Sequence, residues 1–474
     1  MCTIAFGTDG WRAIIDKEFN LSTVKIVSQA IADYILSHNL EGKGIVVGYD
    51  TRRGSRSYAE GVCSVLIGND ILTYFAHRDV PTPVTAFEVY NRNAGGAIMI
   101  TASHNPPEYN GIKYIPEYAG PATNEITDEI TEKIRAAKTK RVNESTFEDG
   151  IQRQLIKITD PKIPYIEFVE KQVDLESMRE IGLRIIYDPM YGTGRGYLDE
   201  ILRGAGCDIS VIHKKVDPNF GGHRPEPIPE FLTKLKEEMD RTGADLGLAT
   251  DGDADRLGVF DSDGTYYTAN QLLPMLFDHI IRSGKRGGVI RTVATTHMVD
   301  RIAEKYGLPY YEVPVGFKYV GKYLREKDTV IGAEESGGFG FANHIPEKDG
   351  ILTCVKVTEM VANSGRTLSQ LFYRLQSEYG FHISGRVEAT IPASLRATIM
   401  EKLSSNIPEK VGSVKVKEIN RMDGLKLILQ DGGWLLIRPS GTEPLLRIYG
   451  ETSNKERLKE ILEEGKGLVS KTIK

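Results

Sequence analysis

Four short stretches gather the residue types that chemistry needs. The first is Thr101-Ala102-Ser103-His104-Asn105-Pro106-Pro107-Glu108-Tyr109-Asn110-Gly111-Ile112-Lys113. It follows the apolar run Ala97-Ile98-Met99-Ile100, which predicts a strand opening into a polar turn that presents Ser103. Serine is a weak nucleophile until a base or a metal activates it, and His104 and Lys113 are the candidates to help. A plain Ser/Asn/Pro turn has the same local signature, so both readings stay open for this stretch alone. The second is Asp251-Gly252-Asp253-Ala254-Asp255-Arg256, after the apolar run from Asp245 to Ala249. Three carboxylates at alternate positions repel one another unless a cation neutralises them. Ligation by oxygen alone suits a hard ion such as Mg²⁺. An EF-hand is excluded, because its sixth and twelfth positions need Gly and Glu and here hold Arg256 and Ser262. A solvated acidic turn is the plain alternative; Arg256 beside the acids also fits a phosphate.

The third stretch is Gly332-Ala333-Glu334-Glu335-Ser336-Gly337-Gly338, two acids and a hydroxyl between glycines. Carboxylates accept hydrogen bonds from sugar hydroxyls, although a flexible exposed turn explains this stretch equally well. The fourth is Arg438-Pro439-Ser440-Gly441-Thr442-Glu443-Pro444, after Trp434-Leu435-Leu436-Ile437 and shortly before Arg447. Two hydroxyls, a glycine and two guanidiniums make a phosphate cradle, with a surface turn as the alternative. Neither phosphate-like loop has the G-x-x-x-x-G-K-[ST] pattern of a P-loop. Gly192-Thr193-Gly194-Arg195-Gly196 evokes a dinucleotide fingerprint, but Tyr197 stands where the third small residue belongs, so it reads as a helix-entry turn.

These loops need strands and helices to hold them. A strand, a helical stretch and a second strand recur three times: residues 44–50, 58–67 and 71–75; then 183–188, 196–205 and 208–212; then 288–292, 297–305 and 309–313. Each copy has the length of a βαβ unit, and its apolar strands predict parallel or mixed sheets covered by helices. Charged, helix-prone residues 125–157 and the turn Asp160-Pro161 mark the first boundary, and a helix over 367–379 precedes the last domain. From Ser384 short strands (385–389, 425–429, 434–437, 446–449) alternate with helices near 395–404 and 455–465, a smaller α+β domain. The expected domains are 1–150, 160–262, 263–378 and 384–474.

The chain has 474 residues, 40% hydrophobic and 26% charged, with a formal net charge of −5. That length fits three or four domains, and that charge argues against a dedicated nucleic-acid binder. The four cysteines form no C-x-x-C pair, which predicts reduced thiols in a cytoplasmic protein rather than a disulfide framework. The first residues lack the charged and apolar regions of a signal peptide, and no apolar run is long enough to span a membrane.

Together with Phe6-Gly7-Thr8-Asp9-Gly10-Trp11-Arg12, the four loops stand in the order found in α-D-phosphohexomutases, and the resemblance extends from Phe6 to Arg447. It implies α/β architecture: three related mixed α/β domains and a C-terminal α+β domain around a central cleft. It implies that Ser103 carries the phosphoryl group, and that Asp251, Asp253 and Asp255 hold Mg²⁺ with a Ser103 phosphate oxygen. Arg12 and Lys113 match active-site positions, Lys113 being the candidate for proton transfer, with His104 beside the serine. Glu334 and Ser336 would hold sugar hydroxyls, and Arg438, Ser440, Gly441 and Thr442 the phosphate that is not transferred, with Arg256 and Arg447 nearby. Val313-Pro314-Val315-Gly316-Phe317-Lys318 resembles the Pro-Thr-Gly-Trp-Lys segment of the family and nominates Lys318 as a substrate contact.

The implied reaction interconverts hexose 1-phosphate and hexose 6-phosphate through a hexose 1,6-bisphosphate, with glucose 1,6-bisphosphate as activator. Glu334-Glu335-Ser336 resembles the sugar loop of glucose-selective members. Members acting on mannose or glucosamine commonly have His where this chain has Gly338. Phosphomannomutase or dual activity, a sugar phosphatase and a non-catalytic sugar-phosphate sensor are the alternatives. The expected partners are hexose phosphates, with no nucleic acid or membrane, in a monomer or homodimer.

Overall fold

A computed structural model describes residues 4, 6–7, 10–139, 141–392, 395–440 and 445–473. The chain folds into two compact units, one of residues 1–268 with 336–369, the other of 269–335 with 370–474.

The first unit contains two sheets. In the first, the strands run Trp11–Ile14, Tyr109–Pro116, Gly96–Ile100, Ile45–Tyr49, Thr73–Ala76 and Ile156–Thr159 from edge to edge. Ile45–Tyr49 is parallel to both of its neighbours, whereas Tyr109–Pro116 is antiparallel to Gly96–Ile100 and to Trp11–Ile14. The central strands Ile45–Tyr49 and Gly96–Ile100 are buried along their whole length, which is why their sequences are apolar without alternation. Helix Leu21–Ser37 covers one face and starts with a capping box, the Asn20 side chain accepting from Thr23 N while the Thr23 hydroxyl accepts from Asn20 N. The second sheet runs Tyr266–Tyr267, Leu257–Asp261, Leu246–Thr250, Arg184–Asp188 and Asp208–Val211. Helix Gly350–Ser364 is buried from Gly350 to Ala362; most of its residues are apolar, and its two buried charges, Lys356 and Glu359, pair with each other at 3.0 Å. Its N-cap, Asp349, accepts from Leu352 N and from the buried Tyr165 hydroxyl.

In the second unit Tyr310–Val313, Gly288–Thr292 and Thr329–Ala333 lie side by side and parallel. The C-terminal antiparallel sheet runs Ile383–Thr390, Leu445–Thr452, Trp434–Pro439, Leu425–Leu429, Val414–Asn420 and Lys410–Val411, with helices Arg396–Ser405 and Lys455–Ile473. A buried polar network joins the two parts of this unit. Lys426 donates to Glu312 Oε2 at 2.7 Å and shares a 2.8 Å hydrogen bond with His297 Nε2; Glu312 also pairs with Arg291, which holds Asp300 at 2.6 Å. Glu451 accepts from His297 N, the Trp434 indole and Ser384. Burial, and then the Arg291 and Lys426 charges, push the His297 imidazole down to about 4.

The three strand–helix–strand repeats are present, and in each the two strands pair in parallel. Two elements differ from the sequence reading. Helices occupy Asn124–Ala137 and Phe147–Gln152, but the end of the helix-prone stretch, Ile156–Thr159, is a strand paired with Thr73–Ala76. Edge pairing overrides local propensity there. Val414–Asn420, between Leu425–Leu429 and the short edge strand Lys410–Val411, was not expected as a strand, because its alternating charges mask a period of two. Cys63, Cys207 and Cys354 are buried free thiols; Cys2 lies outside the described residues. Among the described residues no helix is long and apolar enough to cross a membrane.

Candidate active site

Ser103 sits just beyond strand Gly96–Ile100, with a left-handed φ of +50° that its hydroxyl-bearing side chain rarely adopts. Thr101 Oγ1 accepts from Ser103 N at 2.8 Å and fixes the turn. The serine is buried, and its Oγ donates to Asp251 Oδ2 at 2.8 Å. His104 Nδ1 lies farther from the same oxygen, at 3.4 Å, so the carboxylate rather than the imidazole is its close partner. Arg12 stands cross-strand from Gly111, on the sheet face opposite Trp11 and Ile112, and donates to Asn105 Oδ1 at 2.7 Å.

Asp251, Asp253 and Asp255 follow strand Leu246–Thr250 and are buried. One carboxylate oxygen of each lies within 4.8 Å of the others. Asp251 Oδ1 accepts from the amides of Asp255 and Arg256, which folds the loop back on itself around Ala254 at φ +57°. Lys113 reaches the loop from strand Tyr109–Pro116 and donates to Asp253 Oδ2 at 2.8 Å and Asp255 Oδ2 at 3.2 Å. Burial, then the neighbouring Asp253 and Asp255 charges, raises the Asp251 carboxyl well above the ordinary range. Burial also opposes ionisation of Asp253, but the charge and hydrogen bond of Lys113, with a hydrogen bond from Thr82, hold it well below the ordinary range.

Asp253 Oδ1 and Asp255 Oδ1 are buried with no hydrogen-bond partner among the described residues. Two unpartnered buried carboxylate oxygens are costly, and with Asp251 beside them the three converging carboxylates make the donor set of a hard divalent cation. The triad therefore fits a metal ion.

Two glycines permit this close assembly. A Cβ on Gly252 would come within 2.9 Å of the Ser103 carbonyl oxygen, and one on Gly350 within 2.4 Å of the Arg256 carbonyl oxygen. Gly350 N also donates to Ala254 O, so the start of the buried helix pins the acidic loop. Just before it, Lys348 is buried with its Nζ 3.4 Å from Asp255 Oδ2. Arg256 Nε lies 3.8 Å from Asp255 Oδ1, and Ser336-Gly337 follows on the same unit, a Cβ on Gly337 falling 3.4 Å from Leu257 O.

The second unit carries the remaining groups. Glu334 is buried at the end of strand Thr329–Ala333 and its Oε1 accepts from Gly316 N at 2.9 Å. That bond orients the loop leading to Lys318, in the first turn of helix Phe317–Glu326, whose ammonium lies 5.4 Å from the Tyr319 ring centre. Arg438 and Arg447 are cross-strand neighbours, so two guanidiniums share one sheet face. Arg438 Nε donates to Asp423 Oδ2 at 3.1 Å, and Arg447 lies 3.8 Å from Glu388. Asp423 Oδ2 also accepts from Val315 N at 3.0 Å, tying the 313–318 loop to the arginine loop. Ser440 is buried; Gly441 and Thr442, like Thr8 and Asp9, lie outside the described residues.

Sequence reasoning missed Thr82, Lys348 and Asp423. Thr82 opens a helix between two prolines and shows no signal of its own. Lys348 stood in Glu347-Lys348-Asp349 ahead of an apolar helix, where a charged run before an N-cap was a usable hint.

Comparison with known proteins defines the class. The four phosphoglucomutase/phosphomannomutase profiles match in order: α/β/α domain I over residues 3–141, domain II over 163–264, domain III over 268–379 and the C-terminal domain over 401–465. The chain belongs to the phosphoglucomutase/phosphomannomutase family and is an isomerase-class phosphotransferase acting on hexose phosphates. It is 32% identical to the phosphoglucomutase/phosphomannomutase of Thermococcus kodakarensis over 99% of both chains. It is 31% identical to a protein of Methanothermobacter thermautotrophicus assigned as a phosphoglucosamine mutase, over 99% of this chain and 98% of the relative. Among solved structures, a Thermus thermophilus protein assigned as a phosphomannomutase superimposes with a TM-score of 0.86 at 30% identity, over 99% of both chains. The four-domain architecture follows, and the phosphatase and sensor readings give way to the mutase.

Proposed function

We propose that this enzyme interconverts α-D-glucose 1-phosphate and glucose 6-phosphate, with Ser103 as the phosphoryl carrier and glucose 1,6-bisphosphate as the intermediate that turns over. The observation that carries the reading is Ser103 Oγ, a buried hydroxyl in a strained turn, hydrogen-bonded to a triad of buried carboxylates.

In the forward direction phosphoserine gives its phosphoryl group to the free 6-hydroxyl of glucose 1-phosphate. The P–O bond to Ser103 Oγ breaks as the bond to the sugar oxygen forms, and the hydroxyl proton leaves to a basic group. The bisphosphate then presents its 1-phosphate, whose phosphoryl group returns to Ser103 and frees glucose 6-phosphate. Lys348 brings an ammonium group to the carboxylate cluster, and Lys113 beside it is the candidate for proton transfer, taking the hydroxyl proton in its neutral amine form. Mg²⁺ held by Asp251, Asp253 and Asp255 would neutralise the charge on the transferring group, which a loose phosphoryl-transfer transition state demands. Three buried carboxylates and a phosphoserine of about −2 charge would repel one another strongly without such a cation.

Glu334 and Ser336 would take the sugar hydroxyls. Arg438 and Arg447, with Ser440, Gly441 and Thr442, would grip the phosphate that stays, and Lys318 would add a third cation. The Glu334-Glu335-Ser336 sequence favours glucose, while relatives assigned to mannose and glucosamine phosphates make the sugar the point to test. Rates with glucose 1-phosphate, mannose 1-phosphate and glucosamine 1-phosphate, each with Mg²⁺ and its bisphosphate, test it. A glucose advantage in kcat/KM of at least about tenfold is expected, the scale of one mismatched polar group. Equal rates with mannose would refute selection at C2 by this loop.

A further inference from the structure

Arg52 lies one turn beyond strand Ile45–Tyr49, and its side chain is wholly buried. Every donor of its guanidinium is engaged. Nε meets Asp50 Oδ2 at 3.1 Å; Nη1 donates to the carbonyls of Pro106 at 2.7 Å and Tyr109 at 3.0 Å; Nη2 donates to those of Ser103 and Asn105, both at 2.6 Å. Three of these carbonyls belong to the loop that carries Ser103, and the fourth, that of Tyr109, opens the strand that follows the loop. Asp50 is itself fixed by Ser55 Oγ at 2.6 Å and by Arg52 N at 2.9 Å, so the guanidinium is anchored from the sheet side. On the other side the Phe220 ring covers it, with the guanidinium carbon 4.9 Å from the ring centre. Phe220 is 3% exposed and holds a left-handed φ of +50° to reach that place.

We propose that Arg52 is the positioning residue of the phosphoryl-carrying serine: it gathers the carbonyls of Ser103, Asn105, Pro106 and Tyr109, and Phe220 seals it, so that Ser103 Oγ is held against Asp251. The proposal rests on the reading of Ser103 as carrier. Geometry explains why the residue is arginine. Five donors in a fixed plane can meet four carbonyls and a carboxylate at once, whereas the three donors of a lysine ammonium cannot. The loop needs such an anchor because Ser103 stands in a left-handed conformation, and its carbonyl is pressed against Gly252 on the acidic loop. Arg52 touches no reacting atom; it acts through the loop.

The test is Arg52→Lys, assayed in the full chain for kcat, KM and the fraction of Ser103 that glucose 1,6-bisphosphate can phosphorylate, read by mass spectrometry. A merely structural role would lower kcat only in proportion to that fraction. The expected result is a fall of about 100-fold in kcat per phosphorylatable serine, the cost of displacing a reacting atom by about 1 Å, with KM for glucose 1-phosphate essentially unchanged. Phe220→Leu, which removes the covering ring and no hydrogen bond, should fold normally and lower the same quantity about 3- to 10-fold. A kcat per phosphorylatable serine within about twofold of the parent enzyme in a folded Arg52→Lys variant overturns the proposal. If that variant does not fold, an unaltered Phe220→Leu enzyme overturns it. If the parent enzyme turns over while Ser103 takes no phosphoryl group, the reading of Ser103 fails instead.

Discussion

Ser103 Oγ and Asp251 Oδ2 lie 2.8 Å apart although 148 positions separate them in the chain. Each follows a strand of a different sheet, and both loops pass through a left-handed residue, at Ser103 and at Ala254. Such backbone strain persists where surrounding structure enforces it and is concentrated at working sites. The serine therefore stands where a cation held by the aspartates would meet a phosphate on its oxygen.

Replacing Ser103 by Ala should abolish phosphoryl exchange while leaving the fold. The change removes one hydroxyl and leaves Asp251 Oδ2 one donor short, a cost of about 1 kcal/mol. Thermal unfolding and the mutase assay on the same sample check this. Retained turnover would remove Ser103 from its role.

Asp253→Asn should weaken Mg²⁺ binding. Changes behind the ligands alone cost roughly 10–100-fold in metal affinity, so losing an inner carboxylate should cost at least about tenfold. Isothermal titration measures it directly. High Mg²⁺ should restore part of the activity, and an unchanged affinity would exclude Asp253 from the metal site.

Arg438→Ala should raise KM for glucose 1-phosphate about 10- to 100-fold, the worth of one or two charge-assisted hydrogen bonds to a phosphate. The Asp423 carboxylate would keep Val315 N but lose its guanidinium. Steady-state kinetics with saturating Mg²⁺ decides, and an unaltered KM would place the retained phosphate elsewhere.

Acid should destabilise the second unit through His297. Its folded pKa of about 4 lies below the ordinary 6.5, so the unfolded chain binds the extra proton first. The contribution is fully present above about pH 6.5 and is lost as pH falls towards 4, to a total of about 3 kcal/mol. The Glu312 and Glu451 carboxyls work in the same direction at lower pH. Burial opposes their charge, but His297, Arg291 and Lys426 hold Glu312 down, and His382 and His297 hold Glu451 down. Unfolding temperatures across pH 4–7 should slope upward, and less steeply in His297→Asn. Parallel slopes would refute the assignment.

The sequence was legible where local pattern and tertiary role coincide. Apolar strands such as Gly96–Ile100 and Leu246–Thr250 announced themselves, and the loops beyond them carry Ser103 and the aspartates as expected. Residues that act through distant partners were not legible. Lys348 gains its meaning from Asp255, Asp423 from Val315 and Arg438, and Arg52 from carbonyls about fifty positions away. A carbonyl acceptor leaves no trace in side-chain identity, so no spacing rule could reveal Arg52.

The most direct measurement is a chase of labelled enzyme. The protein is incubated with Mg²⁺ and glucose 1,6-bisphosphate carrying labelled phosphate, then mixed with unlabelled glucose 1-phosphate. Label is expected on the peptide containing Ser103, and it should leave for the sugar at a rate at least equal to kcat. Label on another residue, or release slower than turnover, would contradict a phosphoserine at Ser103 as the carrier.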